Sequence, residues 1–384
     1  MSQKVKVIAA MSGGVDSSVA AALLKEQGYE VIGITMQVWE GDGSSEIGVG
    51  SRRVGGCCSV AEVNDAKRVA DMLGIPHYTL NFRDEFKQKV IDNFIEEYRN
   101  GRTPNPCIRC NQFLKFNHLM QKAKELDAAF VATGHYARVC KIQVTSDKIQ
   151  ISPKSQTTNY KLLKGIDKRK DQAYVLYTLN QEQLAHVLFP LGEMTKEEVR
   201  RKAKQLNLPV ADKVESQEIC FIEDDDYVRF IKEKCPEAVK PGPIVDLSGK
   251  VVGQHEGIAF YTIGQRKGIG AHLGEPKYVV RIDAPHNTVV IGNDNDTLGK
   301  ELTAREVNFI SGVVPTESLN ITAKIRYNSL EADATLTING KGNTESRSEN
   351  IAQIVFKQPQ RSITPGQAVV FYQNDEVLGG GIIQ

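Results

Sequence analysis

Residues 4–10, KVKVIAA, end in a short continuous apolar run, the pattern of a strand buried on both faces. SGGVDS follows, and SVAAALLKEQG then spaces its apolar residues as a helix does until Gly28 stops it. EVIGITMQV, 30–38, reads as a second strand. Residues 40–56 are glycine-rich and aperiodic, which predicts a mobile loop. Ser59 and Glu62 make a capping-box pair before VNDAKRVADMLG, a helix ending at Gly74 with Pro76 beyond. HYTLNF is a third strand, and Phe86, Val90, Ile91, Phe94 and Ile95 have helical spacing across 84–99. The stretch TPNPCIRCNQFLKF, 103–116, opens as a loop and leads into a helix to about 126, with AAFVATGHYARV after it. Strands alternating with helices predict a parallel sheet covered on both faces, the doubly wound α/β class.

The pattern changes after about 220. GPIVDLSGKVVGQHEGIAFYTIGQRKGIG is a run of turns and short β segments. From about 285 the chain is all β: TVVIG, LTAREVNFI, NITAKIRY, ADATLTI, AQIVFKQP and QAVVFY recur at regular spacing, as in a small barrel or sandwich. These shifts divide the chain into an α/β catalytic domain, 1–218, a small β-rich central domain, 219–284, and a C-terminal β-barrel, 285–384.

A chain of 384 residues is too long for one core, which agrees with that division. No apolar run reaches the roughly 18 residues of a membrane span, and MSQKVKVIAAMSGG lacks the regions of a signal peptide, so a cytoplasmic protein is expected. Seven cysteines in such a chain read as thiols, not as a disulfide framework. The formal net charge is +1, so any basic face for a nucleic acid has to be local.

The candidate chemistry begins at AAMSGGVDSS, between the first strand and the first helix. Gly13 and Gly14 let the backbone wrap an anion, and Ser12, Ser17 and Ser18 offer hydroxyls. The helix N-terminus adds N–H groups and partial positive charge. Neither a Walker A string nor GxGxxG is present, and a plain tight turn would also use two glycines. SGGVDS as a whole resembles the pyrophosphate loop of the PP-loop ATPases, enzymes that cut ATP between its α and β phosphates and pass AMP to an oxygen. The resemblance implies ATP contacts at Ala10, Met11, Ser12, Gly13, Gly14, Val15, Asp16 and Ser17. It also implies that Asp16 helps hold magnesium and the released pyrophosphate; as a bare residue Asp16 is also a first-turn carboxylate suited to the helix dipole.

Further segments narrow the resemblance. GCCSVAEVNDAKRVADMLGIPHY, GRTPNPCIRCNQFLKF, VATGHYAR, KDQAYVLY, SQEICFI and YTIGQRKG resemble, in order, segments of the tRNA-specific 2-thiouridylases of the MnmA type. The likeness runs from residue 4 to about 280, with a compatible β tail. In that family ATP adenylates O2 of the wobble uridine of a tRNA, and a cysteine persulfide then delivers sulfur to C2. Adenylation turns a poor leaving group into a good one, and two thiols are needed, one to carry sulfur and one to resolve the S–S bond. The resemblance implies Cys110 as nucleophile and Cys220 as the persulfide carrier, with Met36 and Gly134 completing the nucleotide site. Asn105, Pro106 and Cys107 fall at the target base, and His135, Lys170, Asp171, Gln172, Arg326, Tyr327 and Gln367 at tRNA contacts. Implied partners are a tRNA, through its anticodon region, and a sulfur-donating relay or desulfurase protein.

Alternatives stay open. Many family members carry Asp where this chain has Cys107, and others share the Cys. The change removes a carboxylate and creates C-x-x-C; with Cys220 that gives three thiols, enough for a [4Fe–4S] cluster with one open iron. A PP-loop synthetase acting on a small molecule is the reading from another class, and it would need neither Cys110 nor Cys220. Met36 also fits a core methionine, His135 a satisfied structural histidine, and the charge run 168–172 a solvated face. Cys57 and Cys58 point apart in an extended chain and read as structural, as do Cys140 and Cys235, which sit in no motif.

Overall fold

The computed structural model describes residues 4–39, 60–143, 158–215, 219–222, 224, 226–269, 275–339 and 350–384. The expected mobile loop at 40–56, Cys57, Cys58 and the capping residue Ser59 lie outside the described residues. Among those described, seven strands fall in the N-terminal half: β1 (Lys6–Ala10), β2 (Glu30–Gln37), β3 (His77–Asn81), β4 (Phe130–Ala132), β5 (Ala137–Gln143), β6 (Thr158–Lys164) and β7 (Val187–Leu188). Five of them form a sheet in the order β3-β2-β1-β4-β7, parallel throughout. The chain builds outward from β1 through β2 to β3, then returns to place β4 on the other flank of β1. That reversal opens a crevice at the C-terminal ends of β1 and β4, where open α/β sheets bind ligands.

Helix α1 (Val15–Glu26) leaves β1 directly and is buried along most of its length, from Val15 through Ser17, Ser18, Val19 and Ala20 to Leu24. Its run of small residues lets it lie between the sheet and its neighbours. Helix α2 (Val60–Leu73) packs beside it. The next two helical segments depart from simple α geometry. One runs Arg83–Phe86, widens to a π-helix over Lys87–Ile91 and finishes as Asp92–Arg99. The other runs Pro106–Arg109, widens over Cys110–His118 and ends as Leu119–Glu125. Widened turns of this kind recur at functional sites.

AAFVATGHYARV divides between two sheets. Phe130–Ala132 completes the parallel sheet, whereas β5 turns away to pair with β6, and β6 with the last strand of the chain. Four central strands, β8 (Gly242–Val245), β9 (Val251–His255), β10 (Tyr278–Asp283) and β11 (Thr288–Gly292), make a sheet in the order β10-β11-β8-β9. The strand at TVVIG thus pairs with the central segment. The remaining six, β12 (Leu298–Phe309), β13 (Leu319–Lys324), β14 (Ala332–Asn339), β15 (Ile351–Arg361), β16 (Ala368–Gln373) and β17 (Glu376–Ile383), close on themselves through the β12–β17 pairing. Closure removes the open edges a six-stranded sheet would expose.

Shared cores join these parts. Ile8, Ile34 and Phe116 of the α/β region pack in one cluster with Val370, Tyr372 and Ile382 of the barrel. Phe86 and Phe94 pack in another with Phe230, Val279 and Ile291 of the central region. Among the described residues no helix is long and apolar enough to cross a membrane.

Candidate active site

The SGGVDS loop sits at the crevice between β1 and β4. Gly14 occupies the cap position of α1 in an extended conformation, with no side-chain cap on the helix N–H groups. Gly13 has φ +71, and a Cβ there would lie 2.3 Å from the Glu62 carbonyl oxygen, so only glycine fits this turn. The loop is braced from inside: the Ser12 N–H donates to Ser17 Oγ at 3.1 Å, and Ser18 Oγ donates to the Gly14 carbonyl at 2.7 Å. The Met11 carbonyl accepts from Thr35 Oγ1 at 2.7 Å, which ties the loop to β2. Ala10 is half-buried, and Met11 and Val15 are buried beneath the loop. Met36, at the C-terminal end of β2, is half-buried between two cores. Gly134 follows β4, and a Cβ on it would come within 2.8 Å of the Asp16 carbonyl carbon and the Ser17 nitrogen. It is the close approach that seats the 133–136 turn against the start of α1.

Asp16 stands at the mouth of this loop in a cluster of charges. Lys196 Nζ lies 2.7 and 2.8 Å from its two carboxylate oxygens, and the Tyr136 hydroxyl donates to it at 2.8 Å. Lys196 also reaches Glu215 at 2.9 Å, while Lys170 and Arg200 reach the same Glu215 at 2.7 and 3.4 Å. The Glu215 carboxyl is pulled down to about 2: burial, the largest single influence, pushes it up, but the combined hydrogen bonds and charges of Lys170 and Lys196 prevail. Lys213 donates to the Gly13 carbonyl at 3.0 Å and to Asp65 at 2.8 Å. Sequence reasoning missed Tyr136, Lys196, Lys213 and Glu215. One signal pointed to Lys196: it is the first helical residue after the Thr195–Glu198 capping box, a position where a cation opposes the helix dipole.

The thiol loop is held from three directions. Asn105 caps the helix that bears the cysteines, its Oδ1 accepting from the Ile108 N–H at 3.4 Å, and Pro106 takes the first helical position. The Thr103 N–H donates to the Pro365 carbonyl at 2.9 Å, and its hydroxyl meets that of Thr262 at 3.1 Å. Gln367 Nε2 donates to the carbonyls of Thr103 and Pro104 at 2.9 and 3.2 Å. Arg109, between the two cysteines, pairs with Glu306 of the barrel at 2.8 Å. Cys107 is exposed, and Cys110 and Cys220 are half-buried; all three are thiols. Cys110 and Cys220, far apart in sequence, pack against the same apolar core that holds Phe94, Phe221 and Phe230. Among the described residues no three His, Cys, Asp or Glu side chains are placed to hold a metal ion.

The residues expected at tRNA are largely engaged inside the protein. His135 is buried, its Nδ1 2.6 Å from Thr133 Oγ1 and its ring against Phe116 and Phe189. Burial, with Lys115 adding to it, lowers its pKa well below the usual range and keeps it neutral. Asp171 accepts from the N–H groups of Gly165 and Ala173, and Gln172 accepts from that of Tyr136. Tyr327 donates to the Asp171 carbonyl at 3.2 Å; burial above all, then Asp171 and the nearby Cys107, pushes its phenol up to about 12. Arg326 donates to the carbonyls of Ile263 and Ser362 at 2.8 and 3.1 Å and to the Thr364 hydroxyl. Lys168 and Arg169 are exposed.

A parallel-sheet nucleotide domain joined to two β modules is the class this fold and loop define. The chain matches the model of the tRNA methyl transferase HUP domain over residues 5–224. It matches that of the tRNA methyl transferase PRC-barrel domain over 228–293, and that of the aminomethyltransferase β-barrel domain over 299–383. It is 51% identical over 384 residues, all of both chains, to the tRNA-specific 2-thiouridylase MnmA of Acetivibrio thermocellus. To the protein of the same name from Carboxydothermus hydrogenoformans it is 52% identical over 379 residues, 99% of this chain and 97% of that one. The chain belongs to the tRNA-specific 2-thiouridylase family. Among solved structures, the NMN synthetase of Francisella tularensis aligns with a TM-score of 0.31 at 16% identity, over 56% of this chain and 67% of that one, a likeness that carries no argument.

Proposed function

We propose that the protein is an ATP-dependent tRNA 2-thiouridylase that replaces O2 of the wobble uridine by sulfur. The observation that carries this reading is Cys110 and Cys220 on one apolar core, which the central region shares with the domain whose sheet reversal holds SGGVDS. The family models speak of methyl transfer, but relatives half identical along the entire chain are named thiouridylases, and a paired-thiol site suits sulfur chemistry.

The uracil O2 attacks the α phosphorus of ATP, the α–β bridging bond breaks, and pyrophosphate leaves. The terminal sulfur of a Cys220 persulfide attacks C2 and AMP departs with the former O2. Cys110 thiolate attacks Cys220 Sγ, which breaks the S–S bond, leaves sulfur on the base and joins the two cysteines; an external thiol reductant then restores both. Magnesium carried by the nucleotide would take Asp16 as a protein ligand beside the phosphates and would neutralise charge on the departing pyrophosphate. Asn105, Pro106 and Cys107 are assigned to the target base. Lys168, Arg169 and Lys170 are assigned to tRNA phosphates. The persulfide is refilled by a sulfur-donating protein, and the reaction belongs in the cytoplasm.

The test is mass analysis of nucleosides from tRNA incubated with the protein, ATP, magnesium and a sulfur donor. 2-Thiouridine is expected, together with AMP and pyrophosphate. Cys110→Ser and Cys220→Ser each abolish it, and Cys110→Ser leaves a persulfide on Cys220. Cys107→Ala in iron-free protein keeps substantial activity. ADP as the main product, or adenylation of a small molecule with tRNA left unmodified, would overturn the assignment.

A further inference from the structure

Lys196 is a lysine whose side chain is 9% exposed, far from SGGVDS in sequence, placed at the opening of the phosphate loop. An ammonium has three protons to donate. Here it meets both oxygens of Asp16 and one of Glu215, at 2.7, 2.8 and 2.9 Å. Its backbone N–H is fixed by Asp167 at 2.9 Å, and the Tyr136 ring lies 5.9 Å from Nζ. Around it, Asp16, Asp167 and Glu215 face Lys170 and Arg200. A buried cation with two carboxylates is held in a defined position and is not a solvated surface charge.

Asp16 poses a problem for the phosphate loop. A bare carboxylate at the start of α1 would repel the phosphate chain that the loop N–H groups attract. A cation set against it both cancels that repulsion and points toward the same opening. We infer that Lys196 is a phosphate-binding residue of the ATP site: Asp16 and Glu215 hold its ammonium where the β and γ phosphates arrive, and it then exchanges one of its three carboxylate contacts for a direct bond to a phosphate oxygen. The inference rests on the ATP-dependent reading above and adds a residue to that site.

The experiment is titration of the full-length protein with ATP, pyrophosphate and adenosine in EDTA, which leaves metal ions out of the comparison. It uses wild type, Lys196→Met, Lys196→Arg, Asp16→Asn and the double variant. Lys196→Met weakens ATP and pyrophosphate by about tenfold to a hundredfold, the worth of a charge-assisted hydrogen bond. Adenosine affinity stays within about twofold, which also reports that the variant is folded, and Lys196→Arg recovers most of the loss. In the Asp16→Asn background the loss on adding Lys196→Met persists. If it vanishes there, Lys196 only neutralises Asp16 and the inference fails. Equal losses for ATP and adenosine, or an unchanged ATP affinity, also overturn it. A wild-type protein that binds adenosine and ATP equally would overturn the phosphate-loop reading itself.

Discussion

The cluster at the phosphate loop shows how one side chain acquires its properties from three others. Glu215 sits at about 2 because Lys170 and Lys196 bind its charged form, against the upward push of burial. Its folded-state value therefore lies below the ordinary 4.5, and its stabilising effect is complete above that pH and is lost as pH falls toward about 2. Glu215→Gln should accordingly lower unfolding free energy at pH 7 by about 1–3 kcal/mol. Denaturant titrations at several pH values should show the gap closing between about 4.5 and 2; an equal gap at pH 7 and pH 3 would mean that the charge contributes nothing. Beyond the capping box that precedes Lys196, this grouping was not readable from the chain, because Glu215, Lys196 and Asp16 belong to separate segments with no periodic relation. SGGVDS was readable, because a loop that needs φ +71 under a carbonyl admits glycine alone, and that need is local. His135 and Gln172 fall in matched segments, and their bonds inside the fold, to Thr133 and to the Tyr136 N–H, could not be read from those strings.

Among the elements, the helix Lys196–Gln205 has a complete capping box, Thr195 and Glu198 each satisfying the other's backbone N–H. Thr195→Ala should cost about 1 kcal/mol of stability, and Thr195→Ser should recover it. Because the first helical residue is Lys196, the same substitution should weaken pyrophosphate binding, measured beside the melting temperature; a fall in melting temperature with binding untouched would show that the cap does not place the ammonium. Elements with strong local period were legible: β1, β2 and α1 follow from the buried strand runs and the helical repeat around them. The widened turns at Lys87–Ile91 and Cys110–His118 were not, since one extra residue per turn leaves the apolar spacing nearly intact. Nor was the destination of β5, which pairs with β6, itself joined to the far C-terminal strand. A strand's composition records that it is half-buried, not which sheet buries it.

Across the whole molecule, the thiol loop is built by one domain and fixed by the others. Thr103 and Pro104 are held by Pro365 and Gln367 of the barrel, and Thr103 also touches Thr262 of the central region. Gln367→Ala should therefore slow thiolation several-fold while tRNA affinity moves by less than about twofold, because two hydrogen bonds worth about 0.5–1.5 kcal/mol each leave the loop. If tRNA affinity carries the entire loss instead, Gln367 acts on the RNA and not on the loop. The pairing of β6 with β17 has a consequence for how the chain is made. Residues 158–164 leave the ribosome long before residues 376–383 exist. At roughly 5–20 residues per second, the wait is on the order of ten to forty seconds. Throughout it the β5–β6 hairpin has an unfilled edge, open to any passing strand. The newborn chain is thus most exposed to aggregation in mid-synthesis, and it is the last-made strand that ends that exposure.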